Sequence, residues 1–381
     1  MLLSPAVFSR RLLAWYDQCH RKLPWRTDRA CRDGNGNGKG PAPAATNPYH
    51  VLVSEAMLQQ TQVATVVPYF NRFVQRFPTL ADLAAADEQE VLRIWQGLGY
   101  YSRARNLQAA ARTVVRDYGG ELPRERDELL KLPGVGRYTA GAVSSIAFDR
   151  RSPILDGNVT RVLCRIDRIE TDPRGKTTQE LLWRRAEEIL PRSRAGTFNS
   201  ALMELGAMVC TPRSPQCLIC PVRDHCEGFA AGVQEKIPAP RKARETPLLR
   251  RVTFCIRRGD QWLIEQRPDK GRWAGMWQFM TVAPEPEQDT PTPQDPDRFT
   301  PGLPLRVRRL RYLGAVAHGL THRRYHFDVF ACAAVGRGTI EPSPKPRTWT
   351  TLEGLSRYPL PRPHLKIADM LKGLSDPPAT S

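Results

Sequence analysis

The chain has 381 residues, 41% of them hydrophobic and 25% charged, which is enough for two or three globular domains. Lys and Arg (57) outnumber Asp and Glu (39), and the formal net charge of +18 predicts a polyanionic partner or an anionic membrane surface. No apolar run approaches the roughly 18 residues of a transmembrane helix, no signal peptide is evident, and nine unevenly spread cysteines argue against a secreted disulfide scaffold.

The first part of the chain, residues 1–228, has the pattern of a helical domain. Asn47 precedes Pro48 in the way that an N-cap precedes a proline in the first turn of a helix. Between Asp28 and Asn47 the chain is rich in Gly, Asn, Pro and Ala, so we expect a flexible surface loop there. Stretches with an apolar period near ~3.6 residues predict helices at Pro5–Gln18, Pro48–Gln59, Val63–Arg76, Ala81–Trp95, Arg103–Tyr118 and Thr177–Ile189.

The rest of the chain has a different pattern. Residues 229–247 combine prolines with basic residues and have no apolar periodicity, which is typical of an interdomain linker. Residues 248–373 contain segments of alternating apolar and polar residues around a Gly259-Asp260 turn, and they predict a second domain that contains β-sheet. We expect the tail, residues 374–381, to fray.

Four of the nine cysteines lie within 17 residues, in the pattern C-x6-C-x2-C-x5-C. They are Cys210, Cys217, Cys220 and Cys226. Thiolates suit zinc or iron–sulfur clusters, but zinc sites usually pair two close knuckles, and this segment has a single C-x2-C. The compact loop therefore favours an iron–sulfur cluster of the cubane type. The scattered cysteines are interpreted as packing or surface thiols: Cys19, Cys31, Cys164, Cys255 and Cys332.

The segment LPGVGRYTAGAV, residues 132–143, predicts a helix–hairpin–helix. Gly134, Val135 and Gly136 form the tight hairpin, and a second amphipathic helix begins near Tyr138. The glycines permit a close approach of the backbone, so that free amides at the helix N-terminus can hold a phosphate oxygen. The motif is typical of sequence-independent binding to a nucleic-acid backbone.

Two acidic residues are candidates for catalysis. Glu55 lies in SEAMLQQT among apolar neighbours, and a buried carboxyl has a raised pKa, which suits a general acid. Asp156 lies in LDGNVTRVLCRI, where a helix N-cap is expected. Alone, each residue has a simpler interpretation, as a solvated side chain or a capping residue. Together, next to a helix–hairpin–helix, they indicate a glycosylase.

These motifs resemble those of the MutY family of adenine DNA glycosylases. The matching segments run in family order: LPWR (23–26), SEAMLQQTQV (54–63), GLGYYSRARNL (97–107), LPGVGRYTAGA (132–142), LDGNV (155–159), the cysteine segment (204–226) and QRPDKGRWAGMWQF (266–279). The hairpin and the cysteine loop are shared with endonuclease III, whereas SEAMLQQT, GLGYYSRARNL and the second domain are specific to MutY. The resemblance implies an all-α helix–hairpin–helix glycosylase domain with a 4Fe-4S cluster, followed by an α+β Nudix/MutT-like domain.

The resemblance also implies residue roles. Glu55 would protonate the flipped adenine at N7 and help to activate water, and Asp156 would stabilise the cationic sugar, either electrostatically or through a transient covalent bond. Tyr138 and Asn158 would line the pocket. The implied partner is double-stranded DNA with adenine opposite 8-oxoguanine or guanine, bound by a monomer in the bacterial cytoplasm, at the nucleoid.

The base opposite adenine would be probed by Gln60 and Tyr100, which would also fill the gap left by the flipped base. In the family a Phe-Ser-His loop of the second domain reads 8-oxoguanine, and here the aligned residues are Leu320, Thr321 and His322. Threonine keeps the hydroxyl group, and leucine replaces the aromatic ring.

The second domain resembles a Nudix fold without its chemistry. The segment that leads into a Nudix box is present, but the helix of metal-binding glutamates is absent. Residues 284–304 hold seven prolines and five acidic residues instead, and we expect a loop there. The domain is therefore not expected to hydrolyse nucleotides.

The motifs leave rival functions. An endonuclease III-like glycosylase with lyase activity needs a lysine that forms a Schiff base at the start of the helix after the hairpin. Tyr138 stands there, and the nearest lysine, Lys131, precedes the hairpin. A non-catalytic iron–sulfur protein that binds DNA is the other alternative, and the presence of both acids counts against it. A monofunctional adenine DNA glycosylase is the favoured function.

Overall fold

The computed structural model describes residues 5–26, 46–239, 246–283, 297–320, 322–336 and 345–374. The glycine-rich segment at 27–45, part of the predicted linker at 240–245, Thr321 and the tail at 375–381 lie outside the described residues. The chain divides into two compact units, one formed by residues 1–86 and 102–242 and the other by residues 87–101 and 243–381.

The predicted helical part is confirmed. The helices are α1 (Pro5–Cys19), α2 (Pro48–Leu58), α3 (Val63–Arg76), α4 (Leu80–Ala85), α5 (Glu88–Trp95), α6 (Ser102–Asp117), α7 (Arg126–Leu129), α8 (Arg137–Phe148), α9 (Gly157–Ile166), α10 (Lys176–Glu188), α11 (Ala195–Met208), α12 (Glu227–Ala230) and α13 (Arg362–Lys372). Helix α5 belongs to the second unit although it lies between α4 and α6 in the sequence, and α13 belongs there too. The other helices form the first unit.

Helices α1, α9 and α11 share the largest described core of the first unit. Phe8 and Leu12 of α1 are buried with Val162 of α9 and with Phe198 and Leu205 of α11. The rings of Phe8 and Phe198 meet edge to face, with centroids 6.1 Å apart. Each such side chain contributes about 1.5–3 kcal/mol by leaving water, so this core holds α9 and α11 firmly in place.

The predicted hairpin lies between α7 and α8. Gly134 has φ of +73°, and a Cβ there would stand 2.5 Å from the Cβ of Asn106, so both conformation and space require glycine. Gly136 has an ordinary φ of −92° and is the N-cap of α8, where no side chain bonds the first amides. Glycine at that position leaves the N-terminus of α8 uncovered, in keeping with the predicted exposure of its amides.

The predicted helix at Ala81–Trp95 is wrong as a single helix. Helix α4 ends at Ala85, and α5 starts at Glu88 after a new N-cap, Asp87, whose carboxylate accepts from the Gln89 amide at 2.7 Å. The apolar periodicity of the sequence continues across the break between the two helices, so it does not reveal where α4 ends. An aspartate N-cap is a local signal for a helix start, and here it marks the beginning of a segment that packs in the second unit.

The second unit is built on a six-stranded sheet in the order β4-β5-β1-β3-β2-β6. The strands are β1 (Leu248–Arg258), β2 (Gln261–Gln266), β3 (Trp277–Val282), β4 (Val307–Leu320), β5 (Arg323–Ala334) and β6 (Arg347–Thr350). Strands β1 and β5 are parallel and the other pairings are antiparallel. The predicted turn joins β1 to β2, with Gly259 at φ +60°. The predicted α+β domain is thus confirmed.

Both faces of the sheet are covered. Helix α13 covers one face with Ile367 and Leu371, which pack with Phe327 of β5. On the other face Phe299 packs in a second cluster with Phe254 of β1. Phe299 belongs to a short 3₁₀ helix at Asp297–Gly302, so the expectation of a loop is wrong at that end of the segment. Among the helices of the described residues, none is both long and apolar enough to cross a bilayer.

Candidate active site and cluster loop

One large cavity, of about 580 Å³, opens in the first unit. Its walls come from α2, α8, α9, α11 and the segment before α2. It collects the four residues that the sequence analysis assigned to catalysis, which are Glu55, Asp156, Tyr138 and Asn158. These residues are spread over about a hundred positions of the chain and converge only through the fold.

Glu55 is buried at the cavity wall, with 5% of its surface exposed. It sits on α2 among buried apolar residues, and the hydroxyl of Tyr138 donates a hydrogen bond to its Oε2 at 2.7 Å. The pKa of Glu55 is raised to about 7, chiefly by burial and to a smaller extent by the charge of Asp156, while the Tyr138 hydrogen bond and the charge of Arg26 oppose the rise. Glu55 can therefore hold a proton near neutral pH and release it, as a general acid must.

Asp156 is the N-cap of α9. Its Oδ1 accepts the amide hydrogen of Val159 at 2.7 Å, and its Oδ2 accepts from Nδ2 of Asn158 at 3.2 Å. Burial raises the pKa of Asp156, and the amides of Val159 and Asn158 together with the charge of Arg161 oppose that rise by stabilising the carboxylate. The two carboxyls thus have different surroundings, one bonded by a phenol and one by a helix N-terminus. Because different surroundings give two carboxyl groups different pKa values, one can serve as the proton donor while the other stays ionised and stabilises positive charge.

Arg161 connects this carboxylate to the cysteine loop. Its Nη2 donates to Oδ1 of Asn158 at 2.8 Å and to the carbonyl of Gly206 at 2.8 Å, and its Nε donates to the carbonyl of Cys210 at 2.8 Å. A Cβ on Gly206 would lie 2.7 Å from the Cβ of Asn158, so α11 packs directly on the start of α9. The orientation of Asn158, and through it of Asp156, therefore depends on Arg161.

The sequence analysis missed a buried ion pair at the cavity wall. Glu204 has no exposed surface, and its carboxylate accepts from Nε of Arg21 at 2.6 Å, from Nη2 of Arg21 at 3.0 Å and from Nη2 of Arg26 at 3.1 Å. Burial favours the neutral acid, but the bonds from Arg21 and the charge of Arg26 hold the pKa of Glu204 below its ordinary value. The only sequence signals were an acid inside an apolar helix and arginines on either side of Leu-Pro-Trp.

The two residues expected on the lesion side both have left-handed backbones. Gln60 has φ of +58° and lines the cavity in the first unit. Arg103 supports its turn by donating from Nη1 to the carbonyls of Met57 at 2.7 Å and of Gln59 at 2.6 Å. Tyr100 has φ of +47°, is 44% exposed and belongs to the second unit. Strained residues of this kind cost on the order of 1–3 kcal/mol and cluster at functional sites.

The other residues predicted to contact DNA lie in the hairpin of the first unit and next to β5 in the second unit. Val135 is mostly buried between the two hairpin glycines. His322 is the exposed turn residue immediately before β5, and Leu320 is the last residue of β4. Thr321 lies outside the described residues. The predicted contact residue His322 is therefore accessible from solvent.

The four clustered cysteines line a single small cavity in the first unit. None of them is in a disulfide. Burial, together with the neighbouring thiols, raises the pKa of Cys220 to about 12. Four thiolates so close together need nearby cations to stabilise their negative charge, and the iron ions of a bound cluster would supply them. The side chains therefore fit an iron–sulfur group.

Arg165 supplies one fixed cation at this loop. It is 2% exposed, and its Nη1 donates to Sγ of Cys210 at 3.3 Å and to the carbonyl of Thr211 at 2.6 Å. Its own carbonyl accepts from Sγ of Cys226 at 3.3 Å. The first and last cysteines of the motif are thus tied to one residue of α9. When bound, the cluster would cross-link the loop through four iron–thiolate bonds.

Three family models match the chain. The model of the HhH-GPD superfamily base excision DNA repair protein matches residues 53–188, which include both acids and the hairpin. The iron-sulfur binding domain of endonuclease III matches residues 210–226, and a NUDIX domain matches residues 252–370. With the cavity and the thiols, these matches define a base-excision DNA repair protein that combines a helix–hairpin–helix domain, an iron–sulfur loop and a Nudix-like domain. The match of residues 210–226 to an iron-sulfur binding domain confirms the predicted 4Fe-4S cofactor.

The relatives narrow the class. The chain is 38% identical to human adenine DNA glycosylase over 396 aligned residues, which cover 91% of this chain and 70% of the relative. It is 30% identical to the adenine DNA glycosylase of Buchnera aphidicola, with 97% of this chain and 98% of the relative covered. A solved thermostable thymine-DNA glycosylase is 29% identical with a TM-score of 0.49, and covers 60% of this chain and 97% of that one. The chain belongs to the adenine DNA glycosylase family, which confirms the resemblance seen in its motifs.

Proposed function

We propose that this protein is a monofunctional glycosylase that hydrolyses the N-glycosidic bond of adenine paired with 8-oxoguanine or guanine in double-stranded DNA. The observation that carries the proposal is a buried Glu55 with a pKa of about 7 in the same cavity as Asp156. The cavity, of about 580 Å³, is wide enough for a base turned out of the duplex. We expect the protein to act as a monomer.

Glu55 supplies the proton. Adenine is a poor leaving group until N7 is protonated, and a carboxyl with a pKa near 7 is both protonated and a usable acid at neutral pH. The Tyr138 hydroxyl holds Oε2 at 2.7 Å and so fixes the direction of the carboxyl group. After departure of the base, the ionised Glu55 is placed to accept a proton from the attacking water.

Asp156 stabilises the cation that develops on the sugar. Its carboxylate is held by the amide of Val159 and the side chain of Asn158, so it need not reorganise as charge appears at C1′. Glu204, which is paired with Arg21 and Arg26, keeps its charge at the cavity wall and does not compete for the proton.

The cavity favours hydrolysis over lyase chemistry. No lysine is among the described residues that line it. Lys131 is 63% exposed and pairs with Glu128, outside the cavity lining. Without an amine to form a Schiff base, the product is an abasic site and an intact strand. A non-catalytic role would leave the raised pKa of Glu55 without a purpose.

Contacts to DNA are assigned to three features. The uncovered N-terminus of α8 after Gly134 and Gly136 suits a phosphate. Gln60 and Tyr100 suit the base opposite adenine, and Thr321 with His322 would add a second set of contacts to it. The net charge of +18 supplies the general attraction to the polyanion.

The test is single-turnover release of adenine by Glu55→Gln from a duplex with adenine opposite 8-oxoguanine. Glutamine keeps the size and accepts the Tyr138 bond but has no proton to give, so we expect release to fall by at least about a thousandfold with duplex binding retained. Glu128→Gln, an exposed carboxylate outside the cavity, is the matched control and should keep the wild-type rate. Wild-type release by Glu55→Gln would refute the proposal.

A further inference from the structure

The loop that carries Tyr100 has a backbone that is difficult to form. The loop comprises residues 97–100, and three of these four residues have positive φ: Gly97 at +97°, Gly99 at +79° and Tyr100 at +47°. The side chain of Tyr100 is 44% exposed, whereas Leu98 next to it is 6% exposed. A tyrosine in the left-handed region costs roughly 1–2 kcal/mol, so the surrounding structure must hold it there.

Part of that support is local. The indole Nε1 of Trp95, a fully buried residue of α5, donates to the carbonyl of Gly99 at 3.1 Å. The amide of Gly97 donates to the hydroxyl of Tyr101 at 3.2 Å. The loop is therefore fixed to the C-terminal end of α5, so the placement of that helix determines the placement of the loop.

Helix α5 is held in turn by residues far along the chain, within the second unit. Nε2 of Gln89 donates to the carbonyl of Gly275 at 3.0 Å, and Oε1 of the same side chain accepts from Nε1 of Trp277 at 3.1 Å. At the other end, Oε1 of Gln96 accepts the amide hydrogen of Leu360 at 3.0 Å. Two amide side chains thus join the start and the end of α5 to the Nudix-like part of the chain.

The covalent connections of α5 are to the other unit. Residues 86 and 102, on either side of the segment 87–101, belong to the helical unit, while the segment itself packs in the second. The Nudix-like part therefore holds a stretch of the glycosylase sequence, and that stretch ends in Tyr100.

We propose that Gln89, Gln96 and Trp277 are positioning residues for Tyr100, through which the C-terminal part of the chain sets recognition of the base opposite adenine. The inference rests on the proposed role of Tyr100 as a probe of that base. The C-terminal part then contributes to specificity in two ways, directly through the proposed contact at His322 and indirectly through α5.

The experiment measures single-turnover adenine release opposite 8-oxoguanine and opposite guanine. Gln89→Met with Gln96→Met keeps the chain lengths and removes the amide groups, and Trp277→Phe removes one bond from the other side. The double glutamine variant removes three hydrogen bonds and Trp277→Phe removes one. Because these bonds act on the base only through Tyr100, we expect either variant to reduce the preference for 8-oxoguanine by about three- to tenfold. Gln261→Met, an exposed glutamine at the start of β2, is the matched control and should keep the wild-type preference.

A second background separates positioning from general stability. If the glutamines act through Tyr100, then in Tyr100→Ala the substitutions at Gln89 and Gln96 should change the preference no further. Trp277→Phe removes a bond that Gln89→Met also removes, so adding Trp277→Phe to Gln89→Met should cost no more than Gln89→Met alone. Two results would overturn the inference. One is an unchanged preference when the glutamines are replaced in the otherwise wild-type chain, and the other is an equally large further loss of preference when they are replaced in Tyr100→Ala.

The outcomes also separate this inference from the proposed function. A wild-type protein that releases no adenine would contradict the function itself. A wild-type protein with a clear preference that Tyr100→Ala leaves intact would contradict the role of Tyr100. A preference that depends on Tyr100 but not on Gln89, Gln96 or Trp277 would contradict the positioning role alone.

Discussion

Replacing Glu55 with glutamine should make the protein more stable at neutral and alkaline pH while it removes activity. Glu55 is 5% exposed, and burial raises its pKa from 4.5 to about 7. A carboxyl whose pKa is raised on folding stabilises the protein below its unfolded pKa, and that contribution is lost as the pH rises through the folded value. Above about pH 7 the folded protein therefore holds a buried charge that glutamine would eliminate.

The size of the effect follows from the pKa. Each pKa unit corresponds to about 1.4 kcal/mol, so a rise from 4.5 to about 7 corresponds to about 3 kcal/mol at high pH. For a unit of roughly 200 residues this amounts to a rise in thermal midpoint on the order of 10 °C. Near pH 5, where the folded wild-type carboxyl is already protonated, the variant and the wild type should melt close together.

The assay is thermal unfolding by far-UV circular dichroism at about pH 5 and about pH 8.5, with Glu204→Gln as the opposing control. Glu204 is also buried, but it is paired with Arg21 and Arg26, and its pKa is lowered. Its substitution leaves the partly exposed guanidinium groups of Arg21 and Arg26 without their anion and should destabilise the protein by about 1–3 kcal/mol at neutral pH. Equal melting of Glu55→Gln and wild type at high pH would refute the account of the Glu55 carboxyl.

The remaining predictions concern rate, cofactor and binding. The single-turnover rate should fall about tenfold per pH unit above pH 7, since the active form of Glu55 is protonated; a flat profile would contradict this. Arg161→Gln should slow adenine release by about 10- to 100-fold, because Asn158 loses its support beside Asp156; iron content measured alongside tests whether the loop is intact. The purified protein should absorb near ~400 nm and contain about four irons per chain, and stoichiometric zinc would contradict the cluster. Affinity for duplex DNA should fall about 100-fold or more between roughly 50 and 200 mM salt, and a nearly flat dependence would contradict phosphate binding.

Much of the candidate site could be predicted because its signals are local. Asp156 is a helix N-cap, the hairpin needs glycine at position 134, and the cysteine spacing lies within one loop. Glu55 was identified from apolar neighbours on its own helix, and the structure brings it into one cavity with Asp156. In each case a few adjacent positions carry the information.

The parts that the sequence did not reveal depend on residues far apart in the chain. Glu204 pairs with Arg21, which is 183 positions away, and no pattern along the chain links the two. Gln89 bonds Gly275 across 186 positions, so an apolar period that continues from α4 through α5 could not show that α5 packs in the other unit. Such pairings are set by tertiary packing, which periodicity does not encode.

The central claim is tested most directly by measuring adenine release from four duplexes, with adenine opposite 8-oxoguanine, guanine, cytosine and thymine. The account predicts release opposite the first two bases, fastest for 8-oxoguanine, with strand cleavage only after alkali treatment. Retention of adenine in all four duplexes would contradict the glycosylase function. Cleavage of the strand without alkali would show lyase chemistry, which the absence of lysine among the described residues that line the cavity argues against.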